Sequence, residues 1–403
     1  MPGFILQTGI LFAVIIAIGL QNVLKDPIKL AFGFGKTFQP LSDFPYTCRR
    51  IEDSRLQACE DMWLHEATRE LFLACSDPKA RSHAHNFNIS GRSTQDAIVV
   101  MDVDKPRGDG LEFRALSTPG FTGTDGDGLL QLVGMTGHSK PGDAKKTARL
   151  LLVNNRPPVD PLTGELLSEA KEGGNATIEE FEYDQGSSEM RHIWTYANPN
   201  ISTPNRIAAL DDGSFYFTND AGDKKIGMKF FLSQLLGHGD VTHCNRQACK
   251  RVSTHHRLPN GLVYGADKLV YVPSAMAGGI QVYREDGPKF EKVAHIPLPY
   301  AIDNLSVDGN GDIWAAVFPR GIEILQAAMD PHNKKVKAAA VRVRKDEEGV
   351  YTWEKVIEDG NADVLPGSTS VVHDAKTGRL FFSESDMSQM SFRVYVNIFY
   401  LKP

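Results

Sequence analysis

A recurring unit constrains this chain most: a polar turn carrying Gly or Asp, followed by a strand-like run with an aromatic residue. It appears as "LDDGSFYFTND" at 210–220, "YGADKLVYVPS" at 264–274, "VDGNGDIWAAV" at 307–317 and "HDAKTGRLFFSES" at 373–385, with a fainter copy, "HEATRELFLACSD", at 65–77. Other short β-type runs bounded by turn residues, such as "DAIVVMDV", "ARLLLVNN" and "RVYVNIFYL", fill the spaces between copies. Units of this kind, each holding about four short strands, pack radially as the blades of a propeller. A pair of β-sandwiches would leave the recurrence unexplained. The roughly 350 residues beyond the N-terminal segment suffice for about six blades. The expected fold is therefore all-β, a six-bladed β-propeller over residues 45–403. Helical periodicity is confined to "IGMKFFLSQLLG" at 226–237 and the shorter "GIEILQAAMD" at 321–330.

Before the propeller stands "GFILQTGILFAVIIAIGLQNVLK", almost wholly apolar over residues 4–20. Residues 1–25 read as a signal peptide or an uncleaved signal-anchor, although a basic leader and an A-x-A cleavage site are missing. The other reading is a buried N-terminal helix. The first places the protein in the secretory pathway, secreted or anchored on the lumenal or extracellular side of a membrane, with membrane association through residues 4–20. Glycosylation sequons begin at Asn88, Asn175 and Asn200. Five cysteines, Cys48, Cys59, Cys75, Cys244 and Cys249, allow two disulfides with one left over. Cys244 and Cys249 share the polar loop "HCNRQACK", which a disulfide would close; no zinc template fits it.

Charge and motifs narrow the function. A net charge of −6 lacks the basic face a nucleic acid needs. Neither a P-loop nor a GxGxxG stands in a strand–helix setting, and a GxSxG elbow is missing. A small apolar or aromatic substrate is the expected partner.

Strand interiors are depleted in Asp and Asn, yet "IPLPYAIDNLSVDGNGDIW" at 296–314 sets Asp303 and Asn304 between Ile302 and Leu305. Similar residues precede other copies of the unit at a comparable offset: Asn205 in "PNRIAAL", Asn260 in "LPNGLVYG", and Glu60 with Asp61 in "ACEDMWL". An asparagine ahead of a strand commonly only shapes a turn. A matched set on four blades instead points carboxylate and amide oxygens at one axis, where they would crowd without a cation. Calcium, which takes six to eight oxygen ligands, answers that demand. Glu60, Asn205, Asn260, Asp303 and Asn304 are the candidate metal ligands.

The stretches "ACEDMWL", "PNRIAALDDGSFYFTND", "LPNGLVYG", "AIDNLSVDGNGDIW" and "GSTSVV" together resemble the serum paraoxonase/arylesterase family, in a divergent, fungal-type form, over roughly residues 45–390. The resemblance implies a six-bladed propeller of the gluconolactonase-like clan with a calcium in its central channel, held at the five positions just named. It also implies that Asn304, in the sequon Asn304-Leu-Ser306, is buried and unglycosylated. A second, structural calcium of the family would use Asp61 and the residue after Asn205. That residue is Arg206 here, so a salt bridge to Asp61 is the expected substitute for that ion. The family's two histidines above the calcium fall on Val133 and Asn155, neither of which takes a proton. His138, in "TGHSKPGD", is the nearest candidate catalytic substitute, against the alternative of a solvated loop histidine. The family's disulfide from the N-terminal region to the C-terminus would start at Cys48, but "YVNIFYLKP" has no cysteine. The ring is then closed by strand pairing alone, and Cys59 or Cys75 is the partner left for Cys48.

Three functions follow. The first is a calcium-dependent hydrolase of lactones or aryl esters. The second is a non-hydrolytic enzyme of fungal secondary metabolism on the same scaffold, performing a cyclisation, cycloaddition or dehydration. The third is a binding module with a purely structural ion.

Overall fold

The computed structural model describes residues 19, 21, 23–77, 93–107, 110–139, 147–224, 226–287, 289–330, 333–384 and 395–401. Six four-stranded antiparallel sheets form a six-bladed β-propeller. The innermost strands of blades 1 to 6 are Asp61–His65, Leu132–Ser139, Pro204–Ala209, Val263–Tyr264, Ala301–Val307 and Ser368–Asp374. Each recurring sequence unit is the hairpin joining an innermost strand to the second strand of its blade. Blade 2 is the hairpin that the pattern does not reveal. Its second strand, Thr147–Asn154, reads "TARLLLVN" with no aromatic residue.

The strand Tyr46–Glu52 closes the ring. It pairs antiparallel with Tyr395–Leu401 and becomes the outermost strand of blade 6. Cys48 lies opposite Phe399 there and is free. The pairing covers the edge of Tyr395–Leu401 and ties the start of the propeller to its end.

Apolar side chains sit between blades, because each sheet has two faces and both are covered by neighbours. The blade 6–blade 1 layer packs Phe381, Val396 and Ile398 on Met62, Leu71 and Val99. Blades 1 and 2 meet through Phe72, Val100, Leu150 and Phe181, and blades 2 and 3 through Val153, Ile178, Phe215 and Phe217. Truncating one of these buried phenylalanines to Ala costs about 3–5 kcal/mol.

Two helices, Met228–Leu236 and Ile322–Met329, interrupt blades 3 and 5 between their second and third strands. Antiparallel connectivity puts those connections on the face where the innermost strands begin. The helical segment 23–32 and the chain after it lie on the same face: Gly321 N donates to Leu30 O at 3.1 Å and Gly360 N to Gln39 O at 2.8 Å. Lys36 Nζ donates to Pro319 O at 2.9 Å and lies over the Tyr300 ring. Burial lowers its pKa to about 8. Ile28, Phe32, Phe34, Met228, Leu232, Leu236, Leu325 and Met329 are all exposed on this face. No helix among the described residues is long and apolar enough to cross a membrane; residues 4–18 lie outside them.

Candidate metal centre

The innermost strands are irregular at equivalent points. In blade 5 the pairing jumps from Ile302–Val317 to Leu305–Ala315, leaving Asp303 and Asn304 in a bulge. Blade 3 jumps from Pro204–Asn219 to Ile207–Phe217 around Asn205 and Arg206. Blade 2 does so around Val133 and Gly134, and blade 6 at Thr369. A bulge releases residues from the ladder and re-aims their side chains, which explains how an acid and an amide are tolerated inside an apolar strand. In blades 1 and 4 the corresponding residues lie just ahead of the strand. Glu60 N donates to Ala74 O at 3.1 Å and Asn260 N to Pro273 O at 3.2 Å, continuing their hairpins.

The bulges of adjacent blades nest closely. A Cβ on Gly261 would fall 1.9 Å from Asn304 Oδ1, and one on Gly134 would fall 2.1 Å from Asn205 O. Glycine is required at both places by space.

Hydrogen bonds and charge then bring the set together. Glu60 O accepts from Ser370 Oγ at 2.8 Å, Thr369 Oγ1 at 3.0 Å and Asn304 Nδ2 at 3.3 Å. Asp61, fully buried, accepts from Met62 N and Met135 N, both at 2.8 Å. Arg206 Nε stands 2.8 Å from Asp61 Oδ2 as an ion pair, and Arg206 Nη2 donates to Met62 O at 3.3 Å. Burial raises the pKa of Asp61, with Arg206 opposing. Asp303 is pushed well above the usual carboxylate range, first by burial and then by Glu60 and Asp61; Arg206 and a hydrogen bond from Asn260 oppose the rise. Asn260 Oδ1 is buried with no hydrogen-bond partner.

The donor chemistry fits a hard cation. Carboxylates repel one another here, and a buried amide oxygen is left over; both are relieved by a cation that prefers oxygen. Among the described residues no group of three His, Cys, Asp or Glu side chains has metal-holding geometry. The set is instead a mixture of carboxylate and amide oxygens.

The structure does not bring His138 to this cluster. It lies four residues beyond Gly134 on the innermost strand of blade 2, about 13 Å along at roughly 3.3 Å per residue. There it pairs with Arg149, and burial lowers its pKa. Val133 packs against the blade 2–blade 3 core, and Asn155 is buried. Asn304 is also buried. Among the sequon asparagines, Asn88 lies outside the described residues. Asn175 Nδ2 donates to Asp125 at 3.2 Å and Asn200 Nδ2 to Cys249 O at 2.9 Å. Cys244 and Cys249 form a disulfide. The expectation for Cys48 is corrected: Cys59 and Cys75 bond to each other, because the first hairpin of blade 1 brings residues 59 and 75 side by side. Sequence reasoning missed Thr369 and Ser370, whose hydroxyls reach Glu60 from another blade; "GSTSVV" reads locally as an ordinary polar strand start.

The arylesterase family model matches residues 167–381, more than half of the chain. The chain belongs to the arylesterase family. Among arylesterase relatives, serum paraoxonase/arylesterase 2 of Gallus gallus is 26% identical over 207 residues, covering 50% of this chain and 57% of that one. Serum paraoxonase/arylesterase 1 of Rattus norvegicus is 26% identical over 156 residues, covering 37% of this chain and 43% of that one. The matches thus span about half the length of these relatives. Among solved structures, a luciferin-regenerating enzyme superposes with a TM-score of 0.49 at 13% identity, covering 88% of this chain and 95% of that one. A gluconolactonase from Xanthomonas campestris gives 0.46 at 14% identity, covering 88% and 90%.

Proposed function

We propose that this arylesterase-family propeller is a calcium-dependent hydrolase of lactones or aryl esters, with one Ca2+ held on the axis by Glu60, Asn205, Asn260, Asp303 and Asn304. The observation that carries the reading is the pairing of Asp303 with Asn260. The acid is buried among like charges, and the amide beside it has a buried, unpartnered oxygen. When bound, the ion supplies Lewis-acid polarisation of an ester carbonyl and stabilises the developing oxyanion.

The chain's own residues do the rest. The bulges of blades 3 and 5 release Asn205, Asp303 and Asn304 from their ladders, and this reading has the three face the axis. Arg206 neutralises Asp61 and stands where a second ion would otherwise be needed, so a single ion is proposed. Val133 and Asn155 take no proton and His138 is remote, so among the described residues the carboxylates Glu60 and Asp303 are proposed to accept the proton of an attacking water.

The test is turnover of a panel of lactones and aryl esters by the purified chain, in calcium and in a chelator. Calcium-dependent cleavage supports the reading; no cleavage in calcium ends it. Among the described residues no histidine reaches the centre, which favours the second reading, a cyclisation, cycloaddition or dehydration on this scaffold. That reading is taken up if calcium stabilises the protein while no ester is cleaved.

The disulfides Cys59–Cys75 and Cys244–Cys249 fit an oxidising, extracellular compartment. A secreted or lumenal protein is proposed accordingly, held at a membrane by residues 4–20 and by the exposed apolar side chains around the mouth of the channel. Flotation of the full chain with lipid vesicles, weakened when Phe32 and Phe34 become serine and lost when residues 4–20 are also removed, is the expected result.

A further inference from the structure

We infer that the hydroxyl pair Thr369 and Ser370 of blade 6 positions the cation site, fixing which atom of Asn304 faces the axis and holding the peptide of Glu60. This rests on the calcium reading above.

Glu60 O receives three donors, one from blade 5 and two from blade 6, at 2.8 to 3.3 Å. A carbonyl has two lone pairs, so three donors on it mark a point where several chains of contact converge. Ser370 is buried, and its hydroxyl has a single proton. That proton has Glu60 O at 2.8 Å as its nearer acceptor and Asp61 Oδ1 at 3.4 Å as its second, and with the proton turned to either one the oxygen accepts from Asn304 Nδ2 at 3.1 Å. The amide of Asn304 consequently faces two acceptors, Glu60 O and Ser370 Oγ. Turned over, its carbonyl oxygen would meet Glu60 O acceptor to acceptor in a buried site where that repulsion is poorly screened, and Ser370 could donate to it only by giving up Glu60 O and Asp61.

One orientation survives. Asn304 Nδ2 is tied to blades 1 and 6, and Oδ1 is left on the other side, pressed toward Gly261. Gly261 follows Asn260, so the freed oxygen lies against the segment carrying the unpartnered Asn260 Oδ1. The bulge at Thr369 makes this possible. Pairing skips from Ser368–Glu384 to Ser370–Ser383, which lets two successive hydroxyls, normally on opposite sides of a strand, reach the same carbonyl. Thr369 and Ser370 touch no reacting atom; they act through Glu60 and Asn304. Partners of this kind commonly tune metal affinity by 10–100-fold.

The test compares Ser370→Ala with Ser306→Ala by calorimetric titration of calcium into the chelator-stripped full chain, and by thermal unfolding. Ser306 Oγ donates to Val371 O at 2.7 Å, so it bridges the same two blades without touching Glu60 or Asn304. A merely structural role would cost both variants similar thermal stability and leave calcium affinity alone. The expected result is a loss of affinity of about 10–100-fold in Ser370→Ala, unchanged affinity in Ser306→Ala, and recovery in Ser370→Thr. Should Ser370→Ala fail to fold, Thr369→Ala is the second variant, with a several-fold loss expected. Equal affinity in these variants and the parent overturns this inference alone. No calcium binding by the parent chain overturns both the inference and the reading beneath it.

Discussion

Arg206 Nε and Asp61 Oδ2 stand 2.8 Å apart at the centre of the ring, with the arginine nearly buried and the aspartate fully so. Removing one partner leaves the other charge buried alone, which costs about 3–5 kcal/mol. Arg206→Met should therefore destabilise the protein by about that much in denaturant unfolding, and Asp61→Asn on top of it should recover part of the loss. A loss under about 1 kcal/mol would show that the pair is solvated or dispensable.

Asp303→Asn should separate stability from cation binding. Asp303 lies among Glu60 and Asp61, so the neutral amide relieves repulsion in the cation-free protein. The variant is expected to melt at or above the parent in chelator and to gain nothing from calcium. A variant that still gains stability from calcium contradicts the assignment of Asp303 as a ligand.

The calcium effect should grow with pH. An aspartate titrates near 3.9 in an unfolded chain, whereas folding raises Asp303 by burial and by its neighbours. Below about pH 4 the residue is protonated in both states and contributes nothing. As pH rises through the raised pKa, ionisation weakens the cation-free fold. The difference in melting temperature with and without calcium should thus be small at acid pH and larger near neutrality. Buried histidines affect both samples alike and cancel from the comparison. A difference independent of pH counts against Asp303.

The two disulfides should differ in importance. Cys59–Cys75 links cysteines at a sequence separation of 16 and joins the position before Glu60 to the neighbouring strand; a loop of that size contributes about 3 kcal/mol in the chain-entropy account. Cys244–Cys249 has a sequence separation of only 5, at the tip of a hairpin already paired in register. Replacing the first pair with serine should lower both stability and calcium affinity, and replacing the second should leave affinity unchanged. Equal calcium affinity in both double variants would show that Cys59 does not steady Glu60.

His138→Ala should leave kcat/KM for any ester within about twofold of the parent, since the histidine sits with Arg149 well along its strand. A loss of 100-fold, in the range of general-base catalysis, would restore it to the mechanism.

Much of the fold is legible because each blade repeats the same local event, a polar turn entering an aromatic strand. Five of the six inner hairpins announce themselves that way. Blade 2 does not, since Leu150, Leu151 and Leu152 fill the core where other blades place Phe, Tyr or Trp. Asp303, Asn205 and Asn260 stand out as polar residues beside apolar strands. Their bulges do not, because register is decided by the partner strand. The convergence of Thr369 and Ser370 on Glu60 joins residues 309 and 310 positions apart, a distance no local pattern spans. The Cys59–Cys75 bond follows from the pairing of Asp61 with Ala74, also set by register.

Counting calcium is the most direct measurement: equilibrium dialysis of the chelator-stripped full chain against calcium, with metal analysis of parent and Asp303→Asn. The account predicts one ion per chain in the parent, with Arg206 standing in for any second, and none in the variant. No ion in the parent, or one retained in the variant, would contradict it.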